Sequence, residues 1–297
     1  MRSTLMSFVV FGLKASIFLS VLAIGLKSAT RDATYLLRRP EALGRALLSM
    51  NGIMVLFAVL LVTTFDLNPS VRLALLALAV APIPPLLPRK VLKAGGAQAY
   101  TIGLLVASAL LSIVFIPLAI EIFQRISGVP LEMPATAVIP LVLLTVLLPL
   151  GIGIAVRTFK PELAERFAPP VGGVATGLLV VSAVLLLAAV WRPMVSLIGN
   201  GTLAAFIAFC LVGLFAGHLL GGPASENRTV LAMATAARHP GIAIAVVAAN
   251  FPGDKLAPAA VLLFLIVNAI VSGVYLAWRK RHPPTVHLAA HGGSGIG

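Results

Sequence analysis

Apolar residues recur along this chain in runs separated by short polar segments. Each run is about 20 residues long, the length at which a helix crosses the hydrocarbon core of a bilayer. Hydropathy places nine spans, at roughly 5–26, 46–65, 71–94, 98–120, 134–157, 171–190, 196–220, 229–250 and 256–278. In lipid every backbone N–H and C=O must be satisfied within the protein, so each span predicts an α-helix. The expected fold class is all-α: a polytopic membrane protein of about nine transmembrane helices in one domain over 1–281. The stretch 282–297, rich in Gly, His and Pro, reads as a disordered cytoplasmic tail.

Two spans are interrupted. The third carries Pro82, Pro84, Pro85 and Pro88 followed by Arg89, and the eighth carries Arg238-His239-Pro240-Gly241. Irregular backbone at membrane depth must be buried in protein or line a wet cavity. A pair of interrupted helices in corresponding halves of a chain points to the binding site of a transporter. Pro240-Gly241 lets a new half-helix start with free N–H groups at the crossing, and Pro88 begins another in the same way. Two such N-termini converging predict a partial positive field suited to a carboxylate or bicarbonate-like ion. The competing reading of the first proline run is a kink that shapes packing alone.

Composition agrees with a membrane protein: 60% of residues are apolar and 10% charged. The net charge of +13 does not indicate nucleic acid, because the basic residues belong to loops. Of the 22 Lys and Arg, Lys14 and Arg238 fall inside spans. Arg2, Arg72, Arg125, Arg192 and Lys255 lie on one side, and the other 15 (22 less 2 less 5) lie opposite. The positive-inside rule then puts the N-terminus outside and the C-terminus in the cytoplasm of a bacterial inner membrane. Lys14 interrupts the first apolar run and no clean cleavage site follows, so that span is read as retained. Cys210 stands alone in an apolar span and reads as a small buried hydrophobe.

With this orientation the third span runs inward and the eighth outward. They are five spans apart, as in an inverted-topology repeat of four plus five helices with two discontinuous crossing helices. Ala23-Ile24-Gly25-Leu26 before a basic loop, the proline-rich crossing near Pro82, and Gly95-Gly96 before the next helix add to the pattern. So do Arg228-Thr229 ahead of Ala237-Arg238-His239-Pro240-Gly241, and Asn268 in the last span. In this order the chain resembles the bile acid:sodium symporter family, inverted-repeat carriers related to sodium/proton antiporters. The resemblance implies a panel of helices beside a core whose broken helices cross near the midplane, and it implies sodium as a coupling ion. Matched by spacing, the family's Ser-Asn ion ligands fall on Leu87 and Pro88, its Glu on Ala234 and its Gln on Arg238. A family hydroxyl falls on Thr101, and Asn268 matches a position near the pocket.

The nine acidic residues all sit in expected loops or at span ends, so neither a sodium cage nor a proton site gains a carboxylate within the membrane. Arg238 has two main readings beside placement in a loop or snorkelling to the interface. It caps loose carbonyls at the end of a half-helix, or it stands in for the cation that the family binds and attracts an anionic substrate. His239 is either a neutral hydrogen-bonding residue or a proton shuttle. Lys14 is read as snorkelling or pairing with carbonyls, with a substrate role as the alternative. Asn51 needs a polar partner inside its span. His218 is read as interfacial, and Gly213 with Gly217 as close helix packing.

The expected function is secondary transport of a small or amphipathic organic anion by alternating access, with no cofactor. The substrate-binding set is Arg238, His239, Pro240, Gly241, Pro85, Pro88, Arg89, Thr101 and Asn268. A sodium symporter using backbone carbonyls and Thr101 is the alternative. An intramembrane enzyme or a non-transporting sensor is the rival of another class, although no paired acids, zinc-spaced His cluster or Ser-His-Asp set supports an enzyme. The expected partners are the anion and the lipid bilayer.

Overall fold

The structure, a computed structural model, describes residues 2–127 and 131–281, so the expected tail 282–297 lies outside the described residues. These residues form helices and connecting turns with no strand among them. Among the described residues, eight helical stretches are each long and apolar enough to cross a membrane. The ninth crossing is interrupted, formed by α5 (Pro69–Val80) and α6 (Leu87–Leu92).

The helices sort into two groups. α1 (Arg2–Gly25) packs along α9 (Leu148–Phe159) and α10 (Pro161–Ser196), and α9 continues α8 (Ala135–Val142) through a π-helical turn at Leu143–Leu147. Gly25 and Gly153 set the closeness of this panel: a Cβ on Gly25 would stand 2.5 Å from the Leu150 carbonyl oxygen. Beyond the short α2 (Thr30–Ala33), the core begins with α3 (Pro40–Leu47), a π-helical turn at Leu48–Ile53, and α4 (Met54–Thr64). α7 (Gln98–Ser127), α11 (Thr202–Leu220), α12 (Ser225–Ala236), α13 (Pro240–Asn250) and α14 (Ala257–Arg281) complete it around α5 and α6. The seam between panel and core is formed by α7 against α8 and by α10 against α14.

Two expectations need correction. The span at 171–190 is part of a single 36-residue helix from Pro161 to Ser196, about 54 Å long at 1.5 Å per residue. Its first turns carry Glu162, Glu165 and Arg166, which lower the hydropathy, yet Ala164 and Ala168 pack on Leu26 and Val156. The half-helix begun at Pro88 is only six residues long. So short a helix accumulates little macrodipole, and the expected pair of converging N-termini reduces to one substantial end, that of α13.

Candidate functional site

The two breaks meet, and their prolines explain how. Ala81 is extended (φ −69°, ψ 142°), as the residue before a proline tends to be. Its carbonyl would be paired in a continued helix by the N–H of residue 84 or 85, and both are prolines. The Pro82 carbonyl likewise loses Pro85 as a donor. The second break supplies what is missing: His239 N–H donates to the Pro82 oxygen at 2.8 Å. Arg238 Nη1 donates to the Ala81 oxygen at 3.3 Å.

A third element joins them. Arg238 Nη2 donates to the Met50 oxygen at 2.7 Å. Met50 lies in the π-helical turn of the core's first crossing, where a shifted hydrogen-bond ladder leaves carbonyls free. The Ser49 and Thr235 hydroxyls pair at 2.7 Å beside it, both fully buried. Arg238 is 1% exposed and is the largest fully buried side chain among the described residues. No carboxylate pairs with it among the described residues. Its charge is balanced by carbonyl dipoles and by the negative end of α12, at whose C-terminus it stands.

His239 is the N-cap of α13, and its Nδ1 accepts from the Ile242 N–H at 3.3 Å. Accepting there leaves the ring proton on Nε2 in the neutral tautomer. That Nε2 and the Nε of Arg238 are buried and have no partner among the described residues. Both are donors, so the unmet side-chain hydrogen-bonding capacity at the crossing, among the described residues, is one-signed. Gly241, the first residue of α13 with an N–H, is exposed.

The other expected site residues take different places. Asn268 is buried and donates to the Ala236 oxygen at 2.9 Å, closing the end of α12, and to Cys210 Sγ at 3.4 Å. Thr101 is buried and bonds its own helix through the Ala97 oxygen at 2.7 Å. Pro85 and Pro88 are buried, and Pro240 is half-buried beside Gly241. Arg89 is half-buried and lines a cavity of about 550 Å³ between panel and core. Lys27, Lys93, Gln98 and Ser20 share that cavity with it. Sequence reasoning had counted Lys27 and Lys93 only as loop charges; their positions flanking Gly25 and Gly95 were the available signal.

Elsewhere, His218 Nδ1 pairs with the Tyr275 hydroxyl at 2.8 Å, and Lys14 is exposed on α1. Asn51 is half-buried within the π-helical turn. Gly213 and Gly217 press on the backbone of α12, as close packing requires. No cluster of three or more metal-ligating side chains occurs among the described residues. The positions matched to sodium ligands are occupied by Leu87, Pro88 and Ala234, all buried, and by Arg238.

No curated protein matches the chain. A family model does match, over residues 15–197, taking in α1, the first break and the panel and stopping before α11 and Arg238. Its description is the sodium bile acid symporter family, which is a family of membrane transporters rather than enzymes. The match covers more than half of the chain, and the apolar, interrupted helices agree with it: this multi-pass membrane protein belongs to the sodium bile acid symporter family.

Proposed function

We propose that this member of the family carries an organic anion across the membrane without sodium, its coupling cation replaced by a side chain. The observation that carries the reading is the Arg238 guanidinium, buried and bonded to the freed carbonyls of Ala81 and Met50. Carbonyl oxygens released at a helix break are what a hard cation such as sodium uses. Here a covalently attached cation already occupies them. The unmet N–H groups of Arg238 and His239 and the exposed start of α13 then favour an anion beside the crossing.

The charge distribution supports an N-terminus outside and a C-terminus in the cytoplasm. In that orientation the cavity holding Lys27, Arg89 and Lys93 opens toward the cytoplasm. Transport proceeds by movement of the core against the panel, exposing the crossing to each side in turn. The test is uptake of organic anions into proteoliposomes with and without an inward sodium gradient. Equal uptake in the two conditions is the expected result. Uptake that requires the gradient would overturn the proposal and restore a sodium symporter using backbone ligands and Thr101.

A further inference from the structure

Three cations converge on the cavity between panel and core: Lys27 just beyond α1, and Arg89 and Lys93 in and just after α6. None is ion-paired among the described residues, although four other arginines on the protein surface are. No carboxylate among the described residues lines the cavity. Asp32, bonded to the cavity-lining Gln98, does not itself line the cavity: its Oδ2 accepts from Gln98 Nε2 at 2.9 Å and from the Ala29 N–H at 3.0 Å. The Ser20 hydroxyl also lines the cavity, is fully buried and has no partner among the described residues. A serine in mid-helix ordinarily bonds back to its own helix, as Ser16 does to the Leu13 oxygen at 2.8 Å.

Like charges held in a concave site repel one another, and the site is neutral only when a ligand supplies comparable negative charge. A monocarboxylate leaves two of the three cations uncompensated. We propose that this cavity selects a compact, multiply charged oxyanion, a di- or tricarboxylate or a small phosphorylated acid, in preference to a monoanion. Lys27, Arg89 and Lys93 supply the charge complement, and the Ser20 hydroxyl supplies a hydrogen bond deep in the cleft. As the cargo preference of a carrier this rests on the function proposed above; as binding chemistry it rests on the cavity alone.

The experiment is a thermal-shift titration of the full chain in nanodiscs of neutral lipid with butyrate, succinate and tricarballylate at matched ionic strength. Stabilisation should rise with ligand charge, and Arg89→Gln or Lys93→Gln should weaken tricarballylate binding on the order of tenfold, as loss of one charge-assisted hydrogen bond does. Ser20→Ala, which leaves the charge untouched, should weaken all multiply charged ligands by a smaller factor. Butyrate binding as well as tricarballylate, or charge variants without effect, would overturn the proposal. So would stabilisation by phosphatidylglycerol nanodiscs and by none of the soluble acids, since the cations would then seat a lipid headgroup. Uptake assays separate this from the broader reading. Charge-dependent binding without uptake leaves the site standing and removes the carrier, whereas uptake of butyrate in preference to succinate leaves the carrier standing and removes the preference.

Discussion

Replacing Arg238 by methionine separates what the guanidinium does for the fold from what it does for transport. The substitution leaves the Ala81 and Met50 carbonyls without their donors. Each buried carbonyl left unpaired costs about 1–3 kcal/mol, and the 3.3 Å contact to Ala81 belongs at the lower end of that range. Against this loss, methionine removes a buried charge whose desolvation costs several kcal/mol, and it keeps an apolar stem to fill the space. The two effects oppose one another, so unfolding in detergent should shift by no more than about 3 kcal/mol. Transport has no such compensation. On the function proposed above, a unit charge taken at about 6 Å from the anion would, at an effective dielectric near 20, contribute about 3 kcal/mol, or roughly a hundredfold in affinity. Proteoliposomes containing Arg238→Met should therefore show KM raised by about that factor, with protein that remains monodisperse. Uptake unchanged from the parent would refute the electrostatic argument. A variant that cannot be extracted in folded form would show that the cancellation was misjudged.

Substitutions at three further positions test the packing and hydrogen bonds of the core helices. Gly217→Ala would drive a Cβ into the Leu231 oxygen and to 2.5 Å from Ala232 Cα, backbone atoms that cannot swing aside; a destabilisation of about 1–3 kcal/mol is expected in chemical denaturation. Asp254 Oδ1 accepts from the N–H groups of Leu256 and Ala257, both at 2.9 Å, and the carboxylate also accepts from the Ser70 hydroxyl. Asp254→Ala should cost about 1–2 kcal/mol through the lost acceptor for the two N–H groups that lead into α14, and Asp254→Asn much less, by the same measurement. Asn268→Leu removes the donor to the Ala236 oxygen at the end of α12; a loss of about 1 kcal/mol is expected, and a stability equal to the parent would mean that another group or water meets that carbonyl.

The breaks were legible in the sequence because proline and charge are costly inside an apolar span, and their meeting followed from the need to satisfy freed carbonyls away from water. The partner of Arg238 on the core's first crossing was not legible. Residues 48–53 read as ordinary helix, and only the π-helical register there explains why the Met50 carbonyl is available. The length of α10 was hidden for a related reason: Glu162, Glu165 and Arg166 look like a loop to a hydropathy window, while Ala164 and Ala168 on the opposite face pack against Leu26. The cavity cations were visible as residues but not as neighbours, since Lys27 and Lys93 are distant along the chain and meet only when the panel closes on α6. The family match ends at residue 197, so the placement of the second break was carried by Arg238, His239 and Pro240 themselves.

The backbone bond from His239 to Pro82 stitches the two halves of the chain together at one point, and the guanidinium next to it rivets a third helix to the same spot. A joint fastened in that manner resists shear between the interrupted helices, because sliding one past the other would expose several carbonyls to hydrocarbon simultaneously. On the alternating-access function proposed above, the moving part would be the whole knot travelling as one piece, with slippage at the seam where α7 and α14 meet the panel.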